Sequence, residues 1–270
     1  MSTPLCSARL RGPDHPTLGG IAVVAEGPAA IALSRGGAPK RYAHREPNED
    51  SAGFAWSDWG VVLAVADGHG GSRAACLAVE RVLEHHAPRW LVRAPIALDS
   101  RFASEASAVV RDAHEQILAD VETGGARTTL AVALARPREG WLGLISIGDS
   151  LLFTSGDAGA RALGGSREAA PVFLGTSRLD AAELFAATWV DVRALRGERA
   201  VVLASDGFSQ PGIGVDDAEA AVRQATSQAA RAESELRPLA LARGLVSRAL
   251  EAQRSQRAGD NVATAVVYLG

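Results

Sequence analysis

The sequence predicts an α+β fold in which helices cover the outer faces of antiparallel sheets. Three observations carry this expectation. The elements run as strands, two helices, strands, two helices and a final strand. Successive strands are joined by turns of a few residues, a connection open to antiparallel pairs and closed to parallel ones. No strand alternates with a helix in the manner of a parallel sheet, and segregated runs of strands and helices are the pattern of α+β layering.

Residues 1–19 are rich in Pro, Gly and Ser, lack periodicity and read as a flexible tail, which leaves 20–270 as a single domain. IAVVAEG and AAIALSRGG are two short strands with a turn at Glu26–Pro28. SAGFAWSDWGVVLAVADG is a second strand pair, turning near Ser57–Gly60. In the first helix Ala75, Val79, Val82, His86 and Trp90 recur at spacings of three and four. In the second, Phe102, Ala106, Val109, Ala113 and Ile117 do the same. Both leave their charges on the opposite side, so each lies on something with one face wet. ARTTLAVALA, WLGLISIGDS and LLFTSG are strands separated by turns at Arg136–Gly140 and Gly148–Ser150. Residues 156–187 are punctuated by Gly164, Gly165, Pro171 and Gly175 and give no clear element. ERAVVLASDG is a strand, two helices fill 216–254, and the β-branched NVATAVVYLG closes the chain.

Composition narrows the function classes. With 47% apolar and 22% charged residues the chain is globular rather than disordered. A net charge of −3 and the lack of a basic run argue against a nucleic-acid partner. No apolar run approaches a membrane span, and the first twenty residues hold no signal-like stretch, so a soluble cytoplasmic protein is expected. Cys6 and Cys76 make neither a disulfide framework nor a metal knuckle. Arginine supplies almost all the positive charge; together with the many alanines this is the composition of a GC-rich bacterial genome.

The chemistry gathers at strand ends. VVLAVADG ends an apolar strand in Asp67-Gly68, and AVVLASDG ends another in Asp206-Gly207. LGLISIGDS reaches Asp149, the last strand is preceded by Asp260-Asn261, and Glu49-Asp50 stands just ahead of SAGFAW. One Asp-Gly is a common turn signal. Several acidic endings in one sandwich would repel one another at the edge of an apolar core, and a divalent cation relieves both repulsion and desolvation. Oxygen-only donors suit magnesium or manganese. Glycine after Asp67 lets a backbone carbonyl come close to such an ion. Thr128 and Thr129 read as supports of the neighbouring strand end. Asp157, Asp180, Asp191, Asp216 and Asp217 read as loop or cap residues, and His44, His85, His86 and His114 as surface or packing residues.

Six segments, HREPNEDSAGF, LAVADGHGGS, ARTTLAVAL, ISIGDSLLF, VVLASDGF and GDNVATAVVY, follow one another between residues 41 and 269. In this order they resemble the metal-dependent protein serine/threonine phosphatases of type 2C, the PPM family. The resemblance implies a four-layer α-β-β-α sandwich, with two antiparallel sheets face to face and helices outside. It implies two manganese or magnesium ions: Asp67 bridging them, the Gly68 carbonyl on the second, Asp206 and Asp260 completing the first, and Glu49 and Asp50 holding their waters. Asp149, with Asp206, matches the place of a third ion. Arg45 matches the arginine that clasps the substrate phosphate, and His69 the general acid. The implied substrates are phosphoserine and phosphothreonine proteins, the products of a serine/threonine kinase. A catalytically weak phosphoprotein- or kinase-binding module and a phosphatase for a small phosphoester are the alternatives. The stretch between Ser150 and Val201 matches poorly and reads as a shortened or rebuilt flap. The usual glycine ahead of the first segment is missing, and Pro47 sits within it.

Overall fold

The structure is a computed structural model, and it describes residues 5–92, 98–164 and 171–270. Fourteen strands are formed among the described residues: β1 Cys6–Arg11, β2 Ala22–Glu26, β3 Ala29–Ser34, β4 Ser51–Ser57, β5 Gly60–Ala66, β6 Gly68–His69, β7 Arg127–Thr128, β8 Leu130–Arg136, β9 Trp141–Ile147, β10 Leu151–Gly156, β11 Gly159–Leu163, β12 Trp189–Ala194, β13 Glu198–Ala204 and β14 Val262–Tyr268. The helices are α1 Arg73–Arg81, α2 Ala87–Trp90, α3 Leu98–Ala119, α4 Ala181–Ala186, α5 Ala218–Ala229 and α6 Arg237–Gln256.

The strands form two six-stranded antiparallel sheets, ordered β1-β4-β5-β8-β9-β12 and β11-β10-β13-β14-β3-β2, with β6 and β7 as a small separate pair. The α+β sandwich expected from the sequence is therefore the fold. Strand β5 explains the layering. Val61, Leu63 and Val65 point into the core between the sheets, while Val62, Ala64 and Ala66 pack under α1 and α3. A strand buried on both faces reads as a continuous apolar run, because its period of two is filled on each side. On the second sheet Val202 and Ala204 face α5 and α6, and Val201 and Leu203 face the inter-sheet core.

The register decides where strand ends fall. Ser51 pairs with Ala66, Val65 with Ala131, and Leu130 with Ile147, so the start of β4, the end of β5, the start of β8 and the end of β9 share one end of the first sheet. Leu151 pairs with Ala204, Ala204 with Thr264, and Val262 with Ser34, which gathers the corresponding ends of the second sheet. The connections 35–50 and 148–150 cross between sheets at these same ends. Every acidic strand terminus named above is thereby brought to one end of the sandwich.

Three expectations need correction. Residues 6–11 are not part of a flexible tail: they form β1, which pairs with β4 from Cys6↔Trp56 to Arg11↔Ser51. The periodicity read as one helix through Trp90 is α1, a wider π turn at Val82–His86 and then α2. Asp191 is not a loop or cap residue; it lies within edge strand β12 and pairs with Arg193. Asp180 and Asp217 do cap α4 and α5, their side chains accepting from backbone N–H groups of the first turn. The unassigned stretch from 156 onward holds β11 and α4, with β12 following at Trp189; the rebuilt flap read there falls in part on 165–170, outside the described residues.

Candidate metal centre

Asp67, Gly68, Glu49, Asp206 and Asp260 line one cavity of about 270 Å³, together with His69, Gly70, Tyr42, Ala43 and Gln210. Asp50 lies behind it, fully buried. Each acidic group is set by its strand end. The Asp67 N–H donates to Thr129 Oγ1 at 2.9 Å and its carbonyl accepts from Thr128 Oγ1 at 2.8 Å, so the two threonines support this strand end as expected. The Ser205 hydroxyl donates to Asp50 Oδ2 at 2.7 Å, which ties the turn before Asp206 to the start of β4. The Glu49 N–H donates to Asn261 Oδ1 at 2.9 Å, and the Asn261 amide donates to the carbonyls of Arg35 and Pro47. One asparagine thus joins the last strand to the loop that carries Glu49 and Asp50.

The electrostatics are those of crowded, poorly solvated carboxylates. Burial, and then the charges of Asp50, Asp206 and Asp260, hold the Asp67 carboxyl well above the ordinary range. Asp50 is pushed up to about 7, first by burial and then by Asp260 and Asp206, against the opposing hydrogen bond from Ser205. Asp206 rises to about 6 through burial and the charge of Asp260, with Asp149 adding to it. One oxygen each of Asp50, Asp149 and Asp206 is buried without a hydrogen-bond partner. Unpartnered buried oxygens are costly and rare.

These observations test the donor set against a divalent metal, and the residues fit. The donors are oxygens, three are unpartnered, and a cation would relieve the repulsion that helps raise Asp50, Asp67 and Asp206. Gly68 leaves the required space: a Cβ there would stand 2.4 Å from the Glu49 carbonyl oxygen. Among the described residues no three acidic, His or Cys side chains are already closed round a single point as a finished cage. Asp260 is instead taken up by Tyr42 and Lys40.

The remaining expected residues are placed less centrally. Asp149 is not in the acid cavity; it lines an adjoining hollow of about 590 Å³ with Trp189, Val172 and Pro211, and the two spaces share Asp206 and Gln210. His69 is at the mouth, its Nδ1 3.3 Å from the Asp67 carbonyl oxygen and its ring packed on Phe173 at 4.5 Å between centroids. Arg45 stands on the rim, exposed, with Nη1 3.4 Å from the Gly70 carbonyl oxygen; its backbone N–H donates to Glu49 Oε1 at 3.1 Å. His86 and His114 are buried packing residues, and burial lowers the pKa of both.

Sequence reasoning missed four residues here. Lys40 approaches Asp260 and Glu49, and Tyr42 donates its hydroxyl to Asp260. Gln253, from α6, donates to the carbonyls of Gly207 and Asp260 and accepts from the Gly37 N–H. Asn261 was seen only as the neighbour of Asp260. The single signal available for Lys40 was its being the one lysine in the chain.

Comparison with known proteins bears on the fold and the family. The family model for protein phosphatase 2C matches residues 38–246. No match is found among curated protein sequences. Among solved structures, the chain is similar to a serine-threonine phosphatase 2C from Toxoplasma gondii (TM-score 0.65, 15% identity, covering 98% of this chain and 99% of that one). It is similar also to the catalytic domain of the serine/threonine protein phosphatase PstP in complex with two manganese ions (TM-score 0.62, 22% identity, 92% and 99%). A third is the phosphatase Stp1 from Staphylococcus aureus (TM-score 0.63, 16% identity, 90% and 94%). At these identities the likeness is one of fold. Among the described residues no helix is long and apolar enough to cross a membrane.

Proposed function

The chain belongs to the protein phosphatase 2C family, and we propose that it is a manganese- or magnesium-dependent phosphatase of phosphoserine and phosphothreonine proteins. The observation that carries the reading is the meeting of Asp67, Asp206 and Asp260 around one small cavity, beside a glycine carbonyl, with burial and mutual charge raising Asp67 and Asp206 above the ordinary carboxyl range.

Asp67, the Gly68 carbonyl, Asp206 and Asp260 would hold two ions, with Glu49 and Asp50 gripping their waters and Asp149 joining Asp206 at a place for a third. Such a pair supplies a water made nucleophilic at neutral pH and a clamp on the phosphate oxygens. The protein's own groups do the rest. The Arg45 guanidinium, from the loop before Glu49 and beside the Gly70 carbonyl, would take two non-bridging oxygens with its planar fork and orient the phosphorus. His69 keeps Nδ1 towards the Asp67 carbonyl and leaves Nε2 for the departing serine or threonine oxygen, to which it would give a proton as the P–O bond breaks. The adjoining hollow, walled by Trp189, Val172 and Pro211, offers room for the residues that flank the phosphorylated side chain. The wider assignment is a bacterial, cytoplasmic signalling enzyme acting on the products of a serine/threonine kinase.

The test is hydrolysis of p-nitrophenyl phosphate and of a phosphothreonine peptide, with manganese and with chelator. Turnover should vanish on chelation and fall by orders of magnitude in Asp67→Asn and Asp206→Asn. Turnover that ignores the chelator, or survives both substitutions, removes the metal-dependent reading. Preference for small phosphoesters over the peptide would redirect the substrate assignment.

A further inference from the structure

The chain uses arginine for its positive charge everywhere but once, and its single lysine is at the acidic centre. The Lys40 side chain is 6% exposed. Its Nζ lies 3.5 Å from Asp260 Oδ1 and 3.9 Å from Glu49 Oε2. The backbone is anchored there as well: Lys40 bridges to Gly259, whose N–H donates to the Pro39 carbonyl at 3.1 Å. The ammonium is 5.2 Å from the centre of the Tyr42 ring, and the Tyr42 hydroxyl donates to the same Asp260 oxygen. One carboxylate oxygen therefore faces a cation and a hydroxyl donor contributed by one short segment.

A buried ammonium persists only when paired, and Asp260 and Glu49 supply that pairing. The arrangement has two consequences for a divalent ion. The ion must compete with both donors, and with the Asn261 N–H that also donates to Asp260 Oδ1 at 2.7 Å, before using that oxygen, and it must settle close to a fixed positive charge, which repels it. In the metal-free protein the same charge offsets part of the repulsion among the carboxylates. A compact ammonium does this as a point charge, without the planar five-donor fork of a guanidinium.

Resting on the metal-centre reading above, we propose that Lys40, assisted by Tyr42, is a resident cation of this centre: it holds Glu49 and Asp260 when no metal is bound and sets the affinity for manganese lower than the carboxylates alone would give. Lys40 is here a positioning and charge-setting residue, and its effect is read in metal binding rather than in turnover.

The experiment is calorimetric titration of manganese into the full chain, stripped by chelator, for the wild type, Lys40→Met and Tyr42→Phe, with thermal melting of each in the presence and absence of the metal. Lys40→Met should bind manganese about tenfold more tightly. It should melt lower than the wild type without metal and level with it when loaded. Tyr42→Phe, a change in a half-exposed ring that leaves the fold intact, should bind about threefold more tightly. If Lys40→Met does not fold without metal, Tyr42→Phe alone decides the question, unchanged or weaker binding overturning the proposal. Wild-type binding with an equal or weaker affinity in Lys40→Met overturns it and leaves the metal centre standing. Failure of the wild type to bind manganese overturns both.

Discussion

Asp67 and Asp206, at the ends of strands in opposite sheets, meet at one small cavity. Carboxylates so placed repel one another, and here burial and neighbouring negative charge hold both above the ordinary range. Without a metal the site is therefore a source of instability that grows with pH. For Asp206 the folded value is about 6 against an ordinary 3.8. Below the ordinary value both states are protonated and nothing is lost. As pH rises from there through 6 the unfolded chain releases its proton first, and the folded state loses stability until the loss is complete above the folded value. A shift of about two units corresponds to roughly 3 kcal/mol at most. In chelator at pH 8, Asp206→Asn should melt higher than the wild type by several degrees, of the order of 5 °C. The gap should close towards pH 4. Melting curves at the two pH values check this, and an Asn variant that melts lower at pH 8 contradicts it.

Among the described residues the Arg45 guanidinium has one hydrogen bond, to the Gly70 carbonyl, and lies beside Gly124 on an exposed surface, which leaves its other N–H groups for a ligand. Arg45→Ala should lower kcat/KM for a phosphopeptide by about 10²-fold, with little change in melting temperature. Arg45→Lys should recover only part of the loss, because a point charge replaces a fork. Full activity in Arg45→Ala would remove it from substrate binding.

For His69 the informative comparison is between leaving groups. A threonine alkoxide needs a proton as it departs, whereas p-nitrophenolate needs almost none. His69→Ala should cost about 10²-fold on the phosphothreonine peptide and much less on p-nitrophenyl phosphate. Equal losses on both substrates would assign the histidine to binding or packing. Phe173→Ala, which frees the ring now packed at 4.5 Å, should show the same leaving-group pattern in weaker form.

Gly68 tests the backbone. A methyl group there would meet the Glu49 carbonyl oxygen at 2.4 Å and the Gly71 carbonyl oxygen at 2.9 Å. Neither atom is the end of a flexible side chain. Gly68→Ala should lower stability by about 2 kcal/mol or more and abolish metal-dependent turnover, read by chemical denaturation and assay. A stable, active alanine variant would show that the β6 backbone can shift away.

Much of this arrangement was legible because local pattern and long-range register agree. Strand β5 announces itself as an apolar run, and its Asp-Gly ending marks where the buried strand meets the site. The same holds for β13 and Asp206. The segments that were not legible depend on partners distant in sequence. Strand β1 carries three polar residues in six and sits at a sheet edge, so nothing in CSARLR signals its pairing with β4. Strands β11 and β12 are likewise edges, half-exposed and short. Lys40 and Tyr42 reach Asp260 only because their loop is bridged to Gly259, and no local pattern encodes that bridge. Gln253 reads as an ordinary helix residue until α6 is laid against the turn after β13.

The central claim, that these strand ends hold a pair of hard cations, is tested most directly by anomalous diffraction from crystals grown with manganese. The account predicts two manganese peaks about 3.5–4 Å apart, both within bonding reach of Asp67, one facing the Gly68 carbonyl and the other Asp206 and Asp260. Crystals that show no manganese at Asp67, or show it bound elsewhere on the molecule, would contradict the account.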